Sequence, residues 1–247
     1  MTRTQRFRPS ASDVAPPPGG PPLEESSLGF ERLVFFSDAV YAIVITLLVL
    51  PLTAEIELPE SEEGLVHQVL DLWPTVLTFA VSFLVIGQFW IAHHRTFGQI
   101  RRHDHGLLWF NLVALMTVAF MPFPAALLGS HSTTDDAFPV VFYAASLTLT
   151  SAALTATWLY AARRGLLDPG LGPRRTAAMS RRAFATTAVF AASVGAAFAG
   201  LTPAVLFWLV VLPVVRLLVA RQQSGTAHDA ATDELLSRDP IRDRDTA

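Results

Sequence analysis

Two clusters of polar and ionisable residues interrupt long apolar stretches of this 247-residue sequence. Arg32, Ser37 and Asp38 stand at the start of the first apolar stretch, and His93 and His94 stand near the end of the second. Inside a membrane, carboxylate and imidazole groups can relay protons, histidines can bind a metal, and all of these groups can join helices through hydrogen bonds. These three kinds of chemistry are the ones that the two clusters offer.

The apolar stretches that carry the two clusters are long enough to be membrane-spanning helices. Hydrophobic residues make up 51% of the chain, charged residues make up 16%, and the mean hydropathy is +0.41, which is typical of a membrane protein. A helix needs ~20 residues to cross ~30 Å of hydrocarbon. Six stretches approach that length, at about 33–53, 72–94, 106–128, 138–162, 183–200 and 202–220. The sequence therefore predicts an all-α, polytopic membrane protein with six transmembrane helices.

The remaining segments predict how these helices are oriented. Residues 1–29 and 222–247 are polar, have no apolar period and predict two disordered tails around a transmembrane domain at 30–221. The loops after the first and third stretches lack arginine, whereas the loops after the second and fourth contain several. The positive-inside rule then predicts a multi-pass protein of the cell membrane with both tails in the cytoplasm.

Asp38 needs a polar partner, because it lies more than one helical turn inside the first stretch. A charge that faces lipid there would cost roughly 2.5–3.5 kcal/mol. Arg32 is a poor sole partner, since it lies about 9 Å away along the helix axis and on a different side of the helix. The partner should come from another helix at the same depth, where the candidates are His93, His94, Arg95, Asn111 and Arg216.

The first predicted helix also has an aliphatic face that points away from Asp38. On a helical wheel with 100° per residue, this face contains Val40, Ile43, Thr46, Leu47 and Leu50. Such a face can contact lipid, pack against another helix or line a pore. Periodicity alone leaves these three roles open.

Three segments of the sequence resemble a known family. Arg32, Phe36, Ser37 and Asp38 form the motif R-x-x-x-F-S-D, which is followed by AVYAIVITLLVL. This motif resembles the signature of the endolysosomal potassium channel family (transmembrane protein 175) and its bacterial relatives. FWIAHHR at 89–95 and NLVALMTVAFMPFPAALL at 111–128 are similar to that family's second and third helices. The resemblance covers 32–128 through these motifs and 138–220 through hydropathy, while both tails lie outside it.

The resemblance implies a potassium-selective cation channel whose pore is lined by the first helix of each subunit. It implies a hydrophobic constriction at Ile43, Leu47 and Leu50, and a hydroxyl at Thr46 that helps to select ions. It also implies a structural polar motif that holds the first helix against its neighbours and consists of Arg32, Phe36, Ser37, Asp38, Trp90, His93 and His94. A single six-helix repeat implies a homo-oligomer, a tetramer, in a lipid bilayer, with potassium as the permeant ion and no cofactor.

The preference for potassium over sodium should be modest, because the sequence lacks the T-V-G-Y-G loop whose carbonyls strip potassium of water. Two other classes stay open. A proton-coupled transporter would use Asp38 with the His93/His94 pair as a relay, although inverted repeats are not visible. A haem or metal protein could use the same histidines, but adjacent residues on a helix point about 100° apart. No enzyme is indicated, since cysteine, G-x-S-x-G and H-E-x-x-H are absent, and no nucleic-acid partner is expected.

Overall fold

The computed structural model of the chain describes residues 23–54, 66–67, 70–130 and 136–198. The regular secondary structure within these residues is helical, and Ile100 and Leu167 form an isolated antiparallel bridge. The helices, numbered here in chain order, are α1 (Leu23–Leu47), α2 (Leu50–Ala54), α3 (Trp73–Phe97), α4 (His105–Phe120), α5 (Pro122–Ser130), α6 (Phe138–Arg163) and α7 (Gly172–Ala197). A short 3-10 turn, Pro169–Leu171, precedes α7.

Four helical stretches are long and apolar enough to cross a membrane, and they confirm the first four predicted spans. They are Leu28–Thr53, Trp73–Phe97, His105–Ser130 and Phe138–Arg163. Two predicted boundaries are wrong: residues 23–29, assigned to the first tail, are helical, and the fifth helix begins at Gly172 rather than at 183. The predicted sixth span at 202–220, the second tail and residues 1–22 lie outside the described residues. Among the described residues, α7 is not one of the helices that are long and apolar enough to cross a membrane, so the six-helix count stays a prediction.

Two of the spans are interrupted close to prolines. Proline lacks the backbone N–H that a helix interior needs, so the carbonyl four residues earlier loses its partner. Pro51 follows the break between α1 and α2, where Val49 N–H donates to the Thr46 carbonyl at 3.3 Å instead of extending the helix regularly. Pro122 opens α5 directly after the break at Met121. Each span is therefore a long helix followed by a shorter one.

The helices pack so that α1 lies against α3 and α4, while α7 packs mainly on α6. The larger apolar core joins α1, α3, α4, α5, α6 and α7, and its buried aromatic residues include Tyr41, Phe89, Tyr143 and Phe190. Helix α1 contacts the bundle through one of its sides, and the other side of α1 is exposed.

The arginine-rich end of the bundle is tied together by a compact set of polar contacts. The Arg101 guanidinium lies 2.8 Å from the Asp168 carboxylate, and the N–H of Gly170 together with Arg101 holds the pKa of Asp168 below its usual range. Asp104 accepts hydrogen bonds from Leu107 N–H at 2.7 Å and from the Tyr160 hydroxyl at 2.9 Å. Asp104 therefore caps α4 and fixes it to the end of α6.

Candidate functional site

The first helix has one buried side and one exposed side. Ser37, Tyr41, Val44 and Leu48 are almost completely buried, and their spacing of four, three and four residues follows the helical repeat. This buried side packs against α3 and α4. Hydrophobic burial and polar contacts therefore fix the rotation of α1 about its own axis.

The opposite side of α1 carries the residues of the predicted pore face. Ile43 is 58% exposed, Leu47 is 39% exposed and Leu50 is 55% exposed, and Thr46 is exposed beside them. Val40, the fifth residue of the face, is partly buried against the core. Large aliphatic side chains are thus presented along a helix whose other side is fully packed, and within the described part of the chain nothing covers them.

Thr46 is exposed, and its hydroxyl oxygen keeps its capacity to accept. Its hydroxyl donates to the Ile43 carbonyl at 2.8 Å, so its only proton is already used. Thr53, seven residues later, makes the equivalent bond to the Leu50 carbonyl at 2.8 Å. Because the two lone pairs of such an oxygen stay available, Thr46 can contribute to the coordination of a cation.

Three polar residues form a buried chain of hydrogen bonds between α1, α4 and α3. The Asn111 amide donates to the Ser37 hydroxyl at 3.0 Å, and the Ser37 hydroxyl donates to the Leu33 carbonyl at 2.9 Å. On its other side, the Asn111 side-chain oxygen lies 2.9 Å from His93 Nε2. Tyr41 also contacts the His93 ring, with 5.5 Å between the ring centroids. Asn111 therefore bridges the two clusters found in the sequence.

Asp38 has a different partner from the buried chain. The Trp90 indole N–H on α3 donates to the Asp38 carboxylate at 2.8 Å, and the Trp90 ring lies 5.7 Å from the ring of His94. Asp38 is partly exposed, and Trp90 and His94 are exposed. The structure thus brings Ser37 and Asp38 to two separate contact points on α3 and α4.

Arg32 and Phe36 are not part of these contacts. Both side chains are exposed, and Arg32 makes no hydrogen bond or ion pair with the residues that the structure describes. Phe36 and Arg32 precede Ile43 by seven and eleven residues. At 100° per residue, these spacings place both residues within about 20° of Ile43 around the helix axis. The two residues therefore lie on the exposed side of α1, at the end that precedes the aliphatic face.

Sequence reasoning named Asn111 as one of several candidates for a contact with Asp38 but did not assign it to Ser37 and His93. An asparagine within an apolar stretch is a sufficient signal for a buried partner. Ser82 and Tyr143 form a buried hydrogen bond of 2.8 Å between α3 and α6. The sequence did not predict this bond, because serine is common in membrane helices and gives no specific signal. Among the described residues, no three metal-ligating side chains of the His, Cys, Asp or Glu type lie together.

Four membrane-length helices and a polar network within the bundle define a polytopic helical membrane protein. Residues 32–122 match the family model described as endosomal/lysosomal potassium channel TMEM175. A relative from Streptomyces collinus, named as a potassium channel, is 40% identical over 143 residues, which are 56% of this chain and 68% of that protein. The chain belongs to the TMEM175 family, which is a family of ion channels and not of enzymes.

Two further similarities support the same assignment. A protein of Chamaesiphon minutus that is also named as a potassium channel is 45% identical over 112 residues, which are 44% of this chain and 52% of that protein. The crystal structure of a protein described as a lysosomal potassium-selective channel TMEM175 homolog from Chamaesiphon minutus has a TM-score of 0.66 and 29% identity. That comparison covers 77% of this chain and 98% of the solved chain.

Proposed function

We propose that several copies of this chain, four in the simplest case, assemble into a channel that conducts potassium more readily than sodium. The observation that carries the proposal is the asymmetry of α1, whose inner side is packed and hydrogen-bonded while Ile43, Leu47 and Leu50 stay exposed. One subunit cannot enclose a pore with a single helix, so cyclic symmetry around the exposed face is the simplest closure. The names of the bacterial relatives support potassium as the permeant ion.

In the proposed channel, the rings of Ile43, Leu47 and Leu50 form an apolar neck along the axis. A narrow apolar constriction expels water and therefore blocks hydrated ions until it widens. The Thr46 ring places hydroxyl oxygens beside the neck, and these oxygens replace part of the water that a cation loses there. A larger, more weakly hydrated ion loses less hydration energy in such a neck, which favours potassium over sodium to a modest extent.

The polar motif has a mechanical role in this proposal. The bonds of Ser37 with Asn111 and of Asp38 with Trp90 hold one side of α1 against α4 and α3. Each bond fixes the rotation of α1, so that the aliphatic face points to the axis and not to lipid. Arg32 and Phe36 would then contribute at the entrance to the pore or at a subunit contact, since both are exposed on that side.

We also propose that both tails lie in the cytoplasm, because the connections after α3 and α6 carry the arginines. Arg101, Arg102, Arg163 and Arg164 are all exposed at this end of the bundle. Arginine in short connections is retained on the cytoplasmic side. The entrance next to Arg32 would accordingly be the cytoplasmic one.

Reconstitution into planar bilayers tests the channel proposal. With potassium on one side and sodium on the other, we expect a reversal potential displaced toward the potassium equilibrium value. Ile43→Asn should increase the current and reduce the displacement, because a polar ring stays wet. The matched variant Leu112→Asn, at an exposed position of α4, should leave both quantities unchanged. A reversal potential that follows a proton gradient instead would favour the transporter alternative built on Asp38, His93 and His94.

A further inference from the structure

A cavity of about 300 Å³ lies between α3, α6 and α7, on the side of the bundle away from α1. Its walls include Gln88 and Arg95 of α3, Leu154 and Trp158 of α6, and Arg182 of α7. The exposed side chains of Gln88 and Arg95 mark where it reaches the surface. This volume is at the lower end of the range for cavities that bind small molecules. The cavity plays no part in the proposed conduction path, which runs along the other side of the bundle.

The cavity carries positive charge without a compensating acid. Arg95 and Arg182 both line it, and none of the lining residues that the structure describes is acidic. The Arg182 Nε atom is buried and has no hydrogen-bond partner among the described residues. The other N–H groups of the Arg182 guanidinium can donate to an anion in the cavity, and a second guanidinium at the same cavity favours an anion with several oxygens.

Much of the rest of the cavity wall is apolar, although the polar, uncharged residues Gln88, Thr96, Ser151, Thr155 and Thr186 also line it. Phe89, Ile91, Leu154 and Met179 line it together with the ring of Trp158. The indole N–H of Trp158 already donates to Ser180 at 2.9 Å, so Trp158 presents carbon atoms to the cavity. A small inorganic anion would leave this apolar surface in contact with water. A ligand with a charged head and a hydrocarbon chain would satisfy both halves of the wall.

The position of the cavity along the helices matches the boundary between lipid headgroups and hydrocarbon. Arg95 lies in the last turn of α3, whereas Gln88 lies two turns, about 10 Å, deeper in the helix. The exposed arginines Arg101, Arg102, Arg163 and Arg164 lie beyond Arg95 at the same end. Basic pockets between membrane helices at the cytoplasmic boundary are suited to the headgroups of acidic lipids.

We propose that this cavity binds a phosphate-bearing anionic lipid. Arg95 and Arg182 hold the phosphate oxygens, and the first part of one acyl chain lies against Phe89 and Leu154. The volume accommodates the phosphate and the beginning of a chain, while the remaining hydrocarbon stays in the bilayer. Bound in this way, the lipid joins α3 to α7 and stabilises the packing of α7 on α6.

Thermal unfolding of the purified protein in neutral detergent tests the proposal without any ion flux, so its result does not depend on channel function. The probes are dioleoylphosphatidylglycerol, dioleoylphosphatidylcholine as the matched neutral lipid, and glycerol phosphate as a headgroup without a chain. We expect a saturable rise in melting temperature with phosphatidylglycerol alone. Each arginine should contribute about fivefold in apparent affinity, so that Arg95→Gln and Arg182→Gln each weaken binding about fivefold.

Two variants separate binding from general effects of charge or stability. Arg181→Gln removes a neighbouring exposed arginine of α7 that does not line the cavity, and it should bind phosphatidylglycerol like the wild type. Leu154→Trp keeps both arginines and fills the apolar part of the cavity, so it should lose the lipid-induced rise. Equal stabilisation by both lipids would overturn the proposal. It would also fail if glycerol phosphate matched phosphatidylglycerol, or if Leu154→Trp and the arginine variants kept the full response.

Discussion

At the residue scale, polar groups inside the bundle link α1 to α3 and α4. Ser37, Asn111 and His93 are each almost completely buried, and in hydrocarbon such groups are stable only when they bond to one another. Asn111 is the central member because its amide donates to Ser37 while its oxygen pairs with His93. A change at Asn111 should therefore disturb two helix contacts at once.

We expect Asn111→Leu to lower the free energy of unfolding by about 1–2 kcal/mol, because His93 Nε2 would lose its partner in a buried position. Titration with sodium dodecyl sulfate in mixed micelles measures this quantity. The matched control is Thr117→Val on the same helix, since buried Thr117 donates only to the Ala114 carbonyl of its own helix. If Asn111→Leu were as stable as the control, the buried chain of hydrogen bonds would not hold α1.

The contact between Asp38 and Trp90 permits a more direct measurement by a double-mutant cycle. Asp38→Leu and Trp90→Phe each remove one side of the 2.8 Å bond, and the double variant should be more stable than the sum of the two losses predicts. We expect a coupling energy of about 0.5–1.5 kcal/mol. Asp38→Asn should retain most of the coupling, because the amide oxygen can still accept from the indole. Additive losses in the cycle would mean that the bond contributes nothing to stability.

The sequence limits the candidate partners of a buried polar residue to a few side chains at the same depth, but it does not identify which of them forms the bond. Hydropathy gives the depth of a residue in the membrane, so it correctly placed Asn111 and His93 near the level of Ser37 and Asp38. Which of them meet depends on how each helix is rotated about its axis, and that rotation follows from the packing of the whole bundle. Trp90 is bonded to Asp38 and Asn111 to Ser37 for this reason.

At the element scale, the ends of helices were harder to predict than their apolar centres. Helix α7 begins at Gly172 and its first half carries Arg174, Arg175, Arg181 and Arg182, which a hydropathy window reads as a loop. The backbone of this segment continues as a helix because its hydrogen bonds do not depend on side-chain polarity. Gly172, with a φ of 65°, provides the left-handed turn at which this helix starts.

For helix α1, the sequence predicts which residues share the aliphatic face but not whether that face lines a pore or contacts lipid. Periodicity grouped Ile43, Thr46 and Leu47 on one face that lies opposite Asp38; the structure leaves these three residues exposed, while Val40 of the same face is partly buried. A lipid-facing stripe would have the same composition. Because composition does not distinguish the two roles, the pore-lining role rests on the exposure of this face together with the family resemblance, and it stays a proposal that measurements on Thr46 and Ile43 can test.

Thr46→Val should weaken the preference for potassium over sodium without opening the neck. Valine keeps nearly the same volume but removes the hydroxyl oxygen, whose proton is donated to the Ile43 carbonyl and whose lone pairs stay available as acceptors. We expect the reversal potential between potassium and sodium to move toward zero at an unchanged current. The comparison variant is Thr53→Val, which removes an equivalently bonded hydroxyl seven residues, or about two turns, later in α2. A normal reversal potential in Thr46→Val would remove Thr46 from the selectivity mechanism.

At the scale of the whole molecule, the distribution of arginines predicts the orientation of the bundle in the membrane. The chain has no cysteine, so single cysteines can report accessibility without background. We expect Leu70→Cys and Asp136→Cys to react with an impermeant maleimide applied outside intact cells, whereas Gly170→Cys should react only after permeabilisation. All three positions are exposed, so burial does not limit labelling. The reverse pattern would place the arginine-rich end, and the proposed lipid cavity, at the outer surface.

The assembly can be tested at the proposed neck itself. If several subunits place residue 43 around one axis, Ile43→Cys creates a ring of thiols close enough to bind a soft metal ion, which prefers several thiolate ligands in tetrahedral geometry. Micromolar Cd²⁺ should then block the current of Ile43→Cys by about tenfold or more, with recovery on adding a chelator, and should leave the cysteine-free wild type unaffected.

The matched control for this block is Leu112→Cys, because Leu112 is 47% exposed on α4 and lies outside the proposed pore face. Cadmium should bind it weakly, since thiols that lie far apart cannot share one ion. Native mass spectrometry of the same preparations gives the number of subunits, for which we expect four. Equal block of Leu112→Cys, or no block of Ile43→Cys in channels that conduct normally, would show that α1 does not surround the pore, although the chain would still form a channel through another helix.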